Sequence, residues 1–474
     1  MKKKKKSRIE KSNTQIINIT YIFLLVFVGM IIYFVNFQVK DSDEIINNSY
    51  NKREEVLTHS IIRGAIKSED GEILAQTVVD EEGNETRYYP YGSLFSHSVG
   101  YSTHGKTGVE LMANYKLLTS NTPILEYAAN EFKGDKNDGD NVITSLNVSI
   151  TKAAYEALGE NQGAVIAIEP KTGKILTMIS KPDFDPNTID EVYDSLINDE
   201  SNSSLLNRAT NGLYTPGSTF KLFTLYEYLK ENNAYASYSF DCNGKIEIEG
   251  TSISCANGKH HDLQDLTASF ANSCNGSFVN IGLTLNRTSF KNTCEDLLFN
   301  SELPLGFSYK KSQYVLDENS STFDIMQTVM GQGKTLVTPI HLCMIASALA
   351  NDGVLMKPYM IIKVENQNNK VITEYSPETY GRLFSTEDTN KLNEFLRSVV
   401  TSGTGSRLMS EQYEAYGKTG TAQINDGSQT NSLFMGFAKS GDKQIAICVV
   451  MEDMPEGATP AVPVAKAVFD EYFS

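Results

Sequence analysis

The chain has 474 residues, 40% of them hydrophobic and 21% charged, which is enough for two folded domains and too apolar for a disordered chain. Its formal net charge is −16, and seven basic residues against Glu10 give residues 1–15 a net +6, leaving −22 on the rest. So acidic a body excludes nucleic acid as a partner, because phosphate binding needs a basic face.

Taken in chain order, the first predicted element is the uncharged apolar run Ile16–Phe37, whose 22 residues suffice at helical rise to cross a bilayer. Basic residues crowd its N-terminal side, while Asp41, Asp43 and Glu44 follow it. The positive-inside bias assigns residues 1–15 to the cytoplasm, 16–38 to a transmembrane anchor and the remainder to the outside. A cleaved signal peptide would have a shorter apolar core and a small-x-small cleavage site. Tyr33-Phe34-Val35-Asn36-Phe37 stands there instead, so the anchor is read as uncleaved.

Ser42 to Thr58 is polar and reads as a helix leading away from the membrane. Two short apolar runs then flank Asp70-Gly71, predicting a β-hairpin. Tyr88 to Gly100 and a helical stretch from Gly108 to Leu118 complete a small α+β region, and residues 133–141 read as a charged linker. The first domain is therefore set at 39–145 and the second at 146–474. In the second, Ile150 to Leu158 is predicted helical, and Gly163–Glu169 and Ile175–Ile179 are strands around Pro170-Lys171-Thr172-Gly173. Leu433–Ala438 and Gln444–Met451 form another strand pair, and Val462–Phe473 a closing helix. Strands at both ends of a mainly helical stretch predict an α+β fold, one antiparallel sheet covered by helices.

Of the six cysteines, Cys242 and Cys255 flank a short Gly-containing segment, either closing a loop by a disulfide or remaining buried thiols. Cys294, Cys343 and Cys448 lie in apolar stretches. There is no C-x-x-C, so neither a zinc knuckle nor a thioredoxin-type site is predicted, and no metal or cofactor is expected. His260-His261 lacks an H-E-x-x-H context and is assigned a surface or hydrogen-bonding role.

Three short words carry the chemistry. Tyr214-Thr215-Pro216-Gly217 is a turn, after which Ser218 opens a helical run, with Lys221 one turn on and on the same face. A serine hydroxyl is a weak nucleophile until a base takes its proton, and a desolvated lysine can be that base. The helix dipole at this end favours developing negative charge. Ser273 and Asn275 sit on a turn between two helical stretches, Ser273 suited to relay a proton and Asn275 to hold a substrate amide. Alone, they would be an ordinary Asx or Ser turn. Lys418-Thr419-Gly420-Thr421 precedes the terminal strand pair. On an edge strand, Lys418 and the Thr419 hydroxyl would grip a carboxylate, and Gly420 would let the strand approach the serine. The backbone N–H groups of Ser218 and Thr421 would then form an oxyanion hole.

Two decoys compete. Gly100-x4-Gly105-Lys106-Thr107 matches the phosphate-loop pattern and contains a second Lys-Thr-Gly, but no apolar strand ending in an aspartate accompanies it. Gly331-Gln332-Gly333-Lys334-Thr335 has Thr328 where that pattern needs glycine.

S-x-x-K, S-x-N and K-T-G in this order resemble the signature of penicillin-binding proteins and serine β-lactamases. Arg63-Gly64, Asp70-Gly71, Gly108-Val109-Glu110, Pro182-Asp183-Phe184-Asp185-Pro186-Asn187, Asn207-Arg208-Ala209 and Gly331-Gln332-Gly333 with Thr338-Pro339 extend the likeness. From about residue 60 to its end, the chain resembles the class B penicillin-binding proteins of the short penicillin-binding protein A type. The resemblance implies a monofunctional peptidoglycan D,D-transpeptidase, with residues 39–145 as a pedestal or dimerisation domain. Its substrates would be stem peptides, a D-Ala–D-Ala donor and an amine acceptor, and β-lactams would acylate Ser218. A SEDS-type membrane glycosyltransferase is the implied partner. Asp262 after His261 and Cys274 inside the second word depart from the usual pattern without removing a catalytic group. A class D-like β-lactamase and a β-lactam sensor are the competing readings.

Overall fold

The computed structural model describes residues 8–40, 53–199, 203–424, 429–455 and 459–474. It divides into two compact units, residues 1–60 and 61–474. The first contains the helix Arg8–Lys40, whose segment Ile16–Phe37 has a mean hydropathy of 2.4 and the length to cross a membrane. A second helix covers Arg53–Ser60. Residues 42–52 of the helix expected at 42–58 lie outside the described residues.

The second unit is built on two sheets. The predicted hairpin pairs Ile66–Lys67 with Ile73–Val79, turning through Gly71 at φ +93°. It belongs to a six-stranded sheet ordered Val371–Glu374, Ile361–Glu365, Asn141–Thr144, Ile66–Lys67, Ile73–Val79, Glu85–Tyr88. Two of these strands come from far along the chain, which ties the early residues into the later ones. The expected linker at 133–141 is also more ordered than its composition suggests. Asn137–Asp138 pairs in parallel with Ile61–Ile62, and Asn141 opens a strand. A Cβ on Gly139 would lie 2.0 Å from the Leu117 carbonyl oxygen, so glycine there serves close backbone packing rather than freedom.

Under this sheet the Arg63 and Arg87 guanidinium Nε atoms each donate to the Glu110 carboxylate at 2.7 Å. Glu110 is fully buried. Burial pushes its carboxyl upward, but the two cations outweigh that and hold it below the usual range.

The larger sheet is antiparallel throughout, ordered Glu414–Ile424, Gln429–Ser440, Lys443–Met454, Gly163–Ile168, Ile175–Lys181. Its inner strands carry apolar runs, such as residues 164–168 and 445–451, because both faces are covered. Ile166, Leu433, Met435, Cys448 and Val450 point to one core, while Val165, Phe434, Ile447 and Val449 point to the other. The fully buried helix Pro339–Ala350 covers the first face, and Val148–Leu158 and Ala461–Tyr472 cover the second. Asn147 caps the helix Val148–Leu158, its side chain accepting from the Ile150 N–H. One antiparallel sheet covered by helices is thus the observed architecture. The long strand Glu414–Ile424 lies at its edge.

Candidate active site

Pro216 and Gly217 begin a 3-10 turn, Gly217–Phe220, that runs directly into the helix Lys221–Glu231. Ser218 therefore stands in a tightened turn ahead of the α-helix proper, and Lys221 is its first α-helical residue. Gly217 has φ +54°, and a Cβ on it would lie 2.6 Å from the Thr421 carbonyl oxygen. Its N–H donates to the Gly331 carbonyl at 2.8 Å, and a Cβ on Gly331 would lie 1.7 Å from the Gly217 oxygen. The Gly331-Gln332-Gly333 word is thus a brace behind the serine turn.

Four contacts converge on the Lys221 ammonium. Its Nζ lies 3.0 Å from Ser218 Oγ, 3.2 Å from Ser273 Oγ, 2.7 Å from the Ser273 carbonyl and 2.6 Å from Asn275 Oδ1. Lys221 is fully buried, whereas Ser218, Ser273 and Asn275 are partly exposed. Burial pulls the Lys221 pKa down to about 8. The first and second words therefore meet at one atom.

Ser273 holds φ +57°, a left-handed conformation uncommon outside glycine, asparagine and aspartate. It joins the helix Leu266–Ala271 to the helix Asn275–Gly282, which Cys274 caps. Such a turn aims both Ser273 groups at Lys221, a local strain of the kind found at working sites. Asn275 also donates from Nδ2 to the Ser254 carbonyl at 2.9 Å, so its amide bridges Lys221 and a neighbouring insert.

Lys418, Thr419, Gly420 and Thr421 lie on the edge strand Glu414–Ile424. A Cβ on Gly420 would sit 2.9 Å from both the Pro216 oxygen and Thr219 Cγ2, so only glycine lets this strand pack against the serine turn. The Thr421 carbonyl is the group that meets Gly217. Lys418 is fully buried, its Nζ 3.2 Å from the Thr419 carbonyl and above the Phe270 ring. Burial first, then the charge of Lys221, hold its pKa well below the ordinary lysine value. Thr419 Oγ1 shares a 2.6 Å hydrogen bond with Thr404 Oγ1. Sequence reasoning missed Thr404. Its signal was Ser402-Gly403-Thr404-Gly405, where a Cβ on Gly403 would lie 2.3 Å from the Ala271 carbonyl.

The decoys fall elsewhere. Lys106 has φ +59° in a loop preceded by turns, and Gly108 opens a helix of five residues, so no strand feeds a phosphate loop there.

Of the two alternatives for Cys242 and Cys255, the structure shows buried thiols. All six are free thiols, and Cys242 and Cys255 Sγ stand 3.7 Å apart rather than bonded. Cys274 Sγ lies 3.8 Å from Cys255 Sγ, and His261 Nδ1 lies 3.5 Å from Cys242 Sγ. His261, assigned a surface or hydrogen-bonding role, is partly buried beside sulfur, and the four ligand atoms lie within 4.8 Å of one another. The spacing C-x12-C-x5-H-x12-C concealed this group, because no pair of its members is close in sequence.

Comparison with known proteins agrees with this geometry. The penicillin binding protein transpeptidase domain matches residues 163–470, and the penicillin binding protein A dimerisation domain matches residues 63–142. The peptidoglycan D,D-transpeptidase PbpA of Mycolicibacterium smegmatis is 27% identical over 91% of this chain and 93% of its own length. Stage V sporulation protein D of Bacillus subtilis is 28% identical over 80% of this chain, which spans 62% of that protein. Among solved structures, the D,D-transpeptidase domain of the peptidoglycan glycosyltransferase from Eggerthella lenta superposes with a TM-score of 0.77 at 29% identity, covering 86% of this chain and 97% of that one. Penicillin-binding protein A from Mycobacterium tuberculosis shares the fold, with a TM-score of 0.78 at 24% identity over 87% of this chain and 99% of that one. With the transpeptidase domain matched over more than half its length and the dimerisation domain ahead of it, the chain belongs to the class B penicillin-binding proteins.

Proposed function

We propose that the chain is a peptidoglycan D,D-transpeptidase that cross-links stem peptides through an acyl-enzyme on Ser218, and that β-lactams inactivate it by acylating the same hydroxyl. The observation that carries this reading is the buried Lys221 amine 3.0 Å from the partly exposed Ser218 Oγ.

Uncharged Lys221 takes the Ser218 proton as Oγ attacks the penultimate D-Ala carbonyl carbon. The backbone N–H groups of Ser218 and Thr421 receive the oxyanion. Collapse breaks the carbon–nitrogen bond, and the proton passes from Lys221 through the Ser273 hydroxyl to the departing D-Ala amine. An acceptor amine then attacks the ester, its proton returns along the same path, and Ser218 Oγ leaves reprotonated. Lys418 and the Thr419 hydroxyl hold the carboxylate of the terminal D-Ala, and Gly420 keeps the edge strand close enough to do so. Asn275 positions Lys221 through Oδ1 and retains a second Nδ2 hydrogen for the substrate amide.

We assign residues 39–145 as the membrane-proximal pedestal and 146–474 as the transpeptidase domain. The anchor Ile16–Phe37, with its basic N-terminal flank, fits a single-pass protein of the cytoplasmic membrane with its catalytic domain outside. Strand polymerisation then falls to a separate membrane glycosyltransferase of the SEDS type.

Labelling with a fluorescent penicillin tests this reading. The protein should bind one label covalently and hold it, while Ser218→Ala, folded by circular dichroism, should take none. Persistent labelling of Ser218→Ala would move the nucleophile elsewhere. Rapid turnover of a chromogenic cephalosporin would make the chain a β-lactamase instead.

A further inference from the structure

The insert at residues 239–265 stands between the helix Lys221–Glu231 and the Ser273–Asn275 turn. It consists of two small hairpins, Ser239–Cys242 paired with Asp262–Asp265 and Lys245–Ile248 paired with Thr251–Ser254. Its buried apolar side chains are Cys242, Ile253 and Cys255, with half-buried Ile246 and Ile248 against the main core and half-buried Phe240 against the sulfurs. So little apolar burial does not stabilise two hairpins by itself, and segments of this kind hold together through disulfides or metals.

Its cysteines are set on turns that aim them inward. After Cys242, Gly244 takes φ +83°, and a Cβ on it would lie 2.7 Å from both the Gly258 oxygen and the His260 ring. After Cys255, Asn257 and Gly258 take φ +54° and +62°. The Cys255 N–H donates to the Gly244 carbonyl at 2.9 Å, and the His261 N–H donates to the Cys242 carbonyl at 3.1 Å. The fourth member, Cys274, comes from outside the insert and lies between Ser273 and Asn275.

Three of the six separations are those of a tetrahedron around an ion, and all six lie within 4.8 Å. Zinc bonds of about 2.3 Å to sulfur and about 2.0–2.1 Å to nitrogen require edges of about 3.8 Å between sulfurs and about 3.5 Å from sulfur to nitrogen. The observed edges are 3.7 and 3.8 Å between sulfurs and 3.5 Å from Cys242 Sγ to His261 Nδ1. A disulfide needs about 2.05 Å and would satisfy only two of the three cysteines. The surroundings suit thiolates. The Ser277 N–H donates to Cys274 Sγ at 3.4 Å from the first turn of the helix Asn275–Gly282, an end that favours negative charge.

We propose that Cys242, Cys255, His261 and Cys274 bind one structural zinc ion, which fastens the insert to the Ser273–Asn275 turn and so positions both residues against Lys221. Three sulfur ligands and one imidazole fill all four positions, so the ion has no open site and takes no part in the chemistry. Binding releases the thiol protons, and chelation at low pH should strip the metal. Metal binding stands independently of the transpeptidase reading; only the positioning role rests on it.

The test uses the full chain purified in detergent without chelator. Elemental analysis should find about one zinc per chain, and the cobalt-substituted protein should show the thiolate-to-metal charge-transfer and intense d–d bands of a tetrahedral sulfur-rich site. His260→Ala, an exposed neighbour, should keep the metal, and His261→Ala should lose most of it. Removing zinc from the wild-type chain should slow acylation by penicillin at least several-fold, and re-adding it should restore the rate. A Cys242–Cys255 disulfide in the purified protein, or cobalt spectra without charge-transfer bands, would overturn the site. Stoichiometric zinc whose removal leaves acylation unchanged would overturn its positioning role. A chain that takes no penicillin with or without zinc would instead refute the transpeptidase reading and leave the metal result standing.

Discussion

At the scale of single residues, the amine of Lys221 decides what the serine can do. Buried and hydrogen-bonded on several sides, it has a pKa of about 8 where a free lysine has 10.5. The uncharged form, which in the proposed mechanism accepts the Ser218 proton, is therefore a minority below that pH and dominant above it. The acylation rate constant should rise with pH, close to tenfold per unit below about 8, and level off above it. Stopped-flow acylation by a reporter β-lactam checks this, and a flat profile from pH 6 to 9 would mean that Lys221 is not the titrating base. Lys418 is equally buried and close enough to feel the charge of Lys221, but it sits on the edge strand rather than on the serine helix. Lys418→Ala should weaken acylation by β-lactams bearing a carboxylate, whereas Lys106→Ala in the loop copy of Lys-Thr-Gly should leave it untouched. Equal loss from both would reverse the choice between the two copies.

Much of this chemistry was legible in the sequence because it is local. Ser218 and Lys221 are one helical turn apart, and Ser273 and Asn275 share one turn, so spacing alone puts each pair together. Thr404 was not legible, since its partner Thr419 is reached only when the edge strand packs beside the Gly403 turn. The sulfur cluster was hidden for the same reason. Three of its members are brought together by the pairing of the two hairpins, and Cys274 by the packing of a separate helix cap.

At the scale of elements, the edge strand and the serine turn are held in contact by absent side chains. Gly420 faces the Pro216 oxygen and Thr219, and Gly331 lies against the Gly217 backbone. A methyl group at position 420 must push the strand away from the turn, and displacements near 1 Å cost up to about a hundredfold in rate. Gly420→Ala should therefore fold with its acylation rate reduced between about tenfold and a hundredfold. Gly331→Ala should also lose stability, because its φ of +85° is strained for alanine and the clash is with backbone. Thermal denaturation alongside acylation kinetics separates the two. Four strands of the large sheet were predictable as apolar runs bounded by turns, and the edge strand only through its Lys-Thr-Gly motif. The six-stranded sheet was not, because Ile361–Glu365 and Val371–Glu374 join it across more than two hundred residues of chain.

At the scale of the molecule, the Arg63–Glu110–Arg87 cluster tests whether the smaller sheet and the serine site depend on each other. Glu110 is fully buried and bonded to both guanidiniums. Glu110→Gln leaves two cations largely desolvated with no counter-charge, a change that typically costs about 3–5 kcal/mol. None of the three residues touches Ser218, Lys221 or the edge strand, so the chemistry of molecules that remain folded should be unaltered. The expected outcome is a lowered melting temperature with an unchanged acylation rate constant per folded molecule. Because the carboxyl is held below its usual range, the wild-type contribution is present at neutral pH. It is lost as pH falls through the depressed value, and the Gln variant should lack that part of the acid dependence. If the rate constant drops with stability, the sheet built around residues 63–142 acts on the serine site through the strands it shares with the transpeptidase region. It would then be part of the catalytic apparatus rather than a pedestal beneath it.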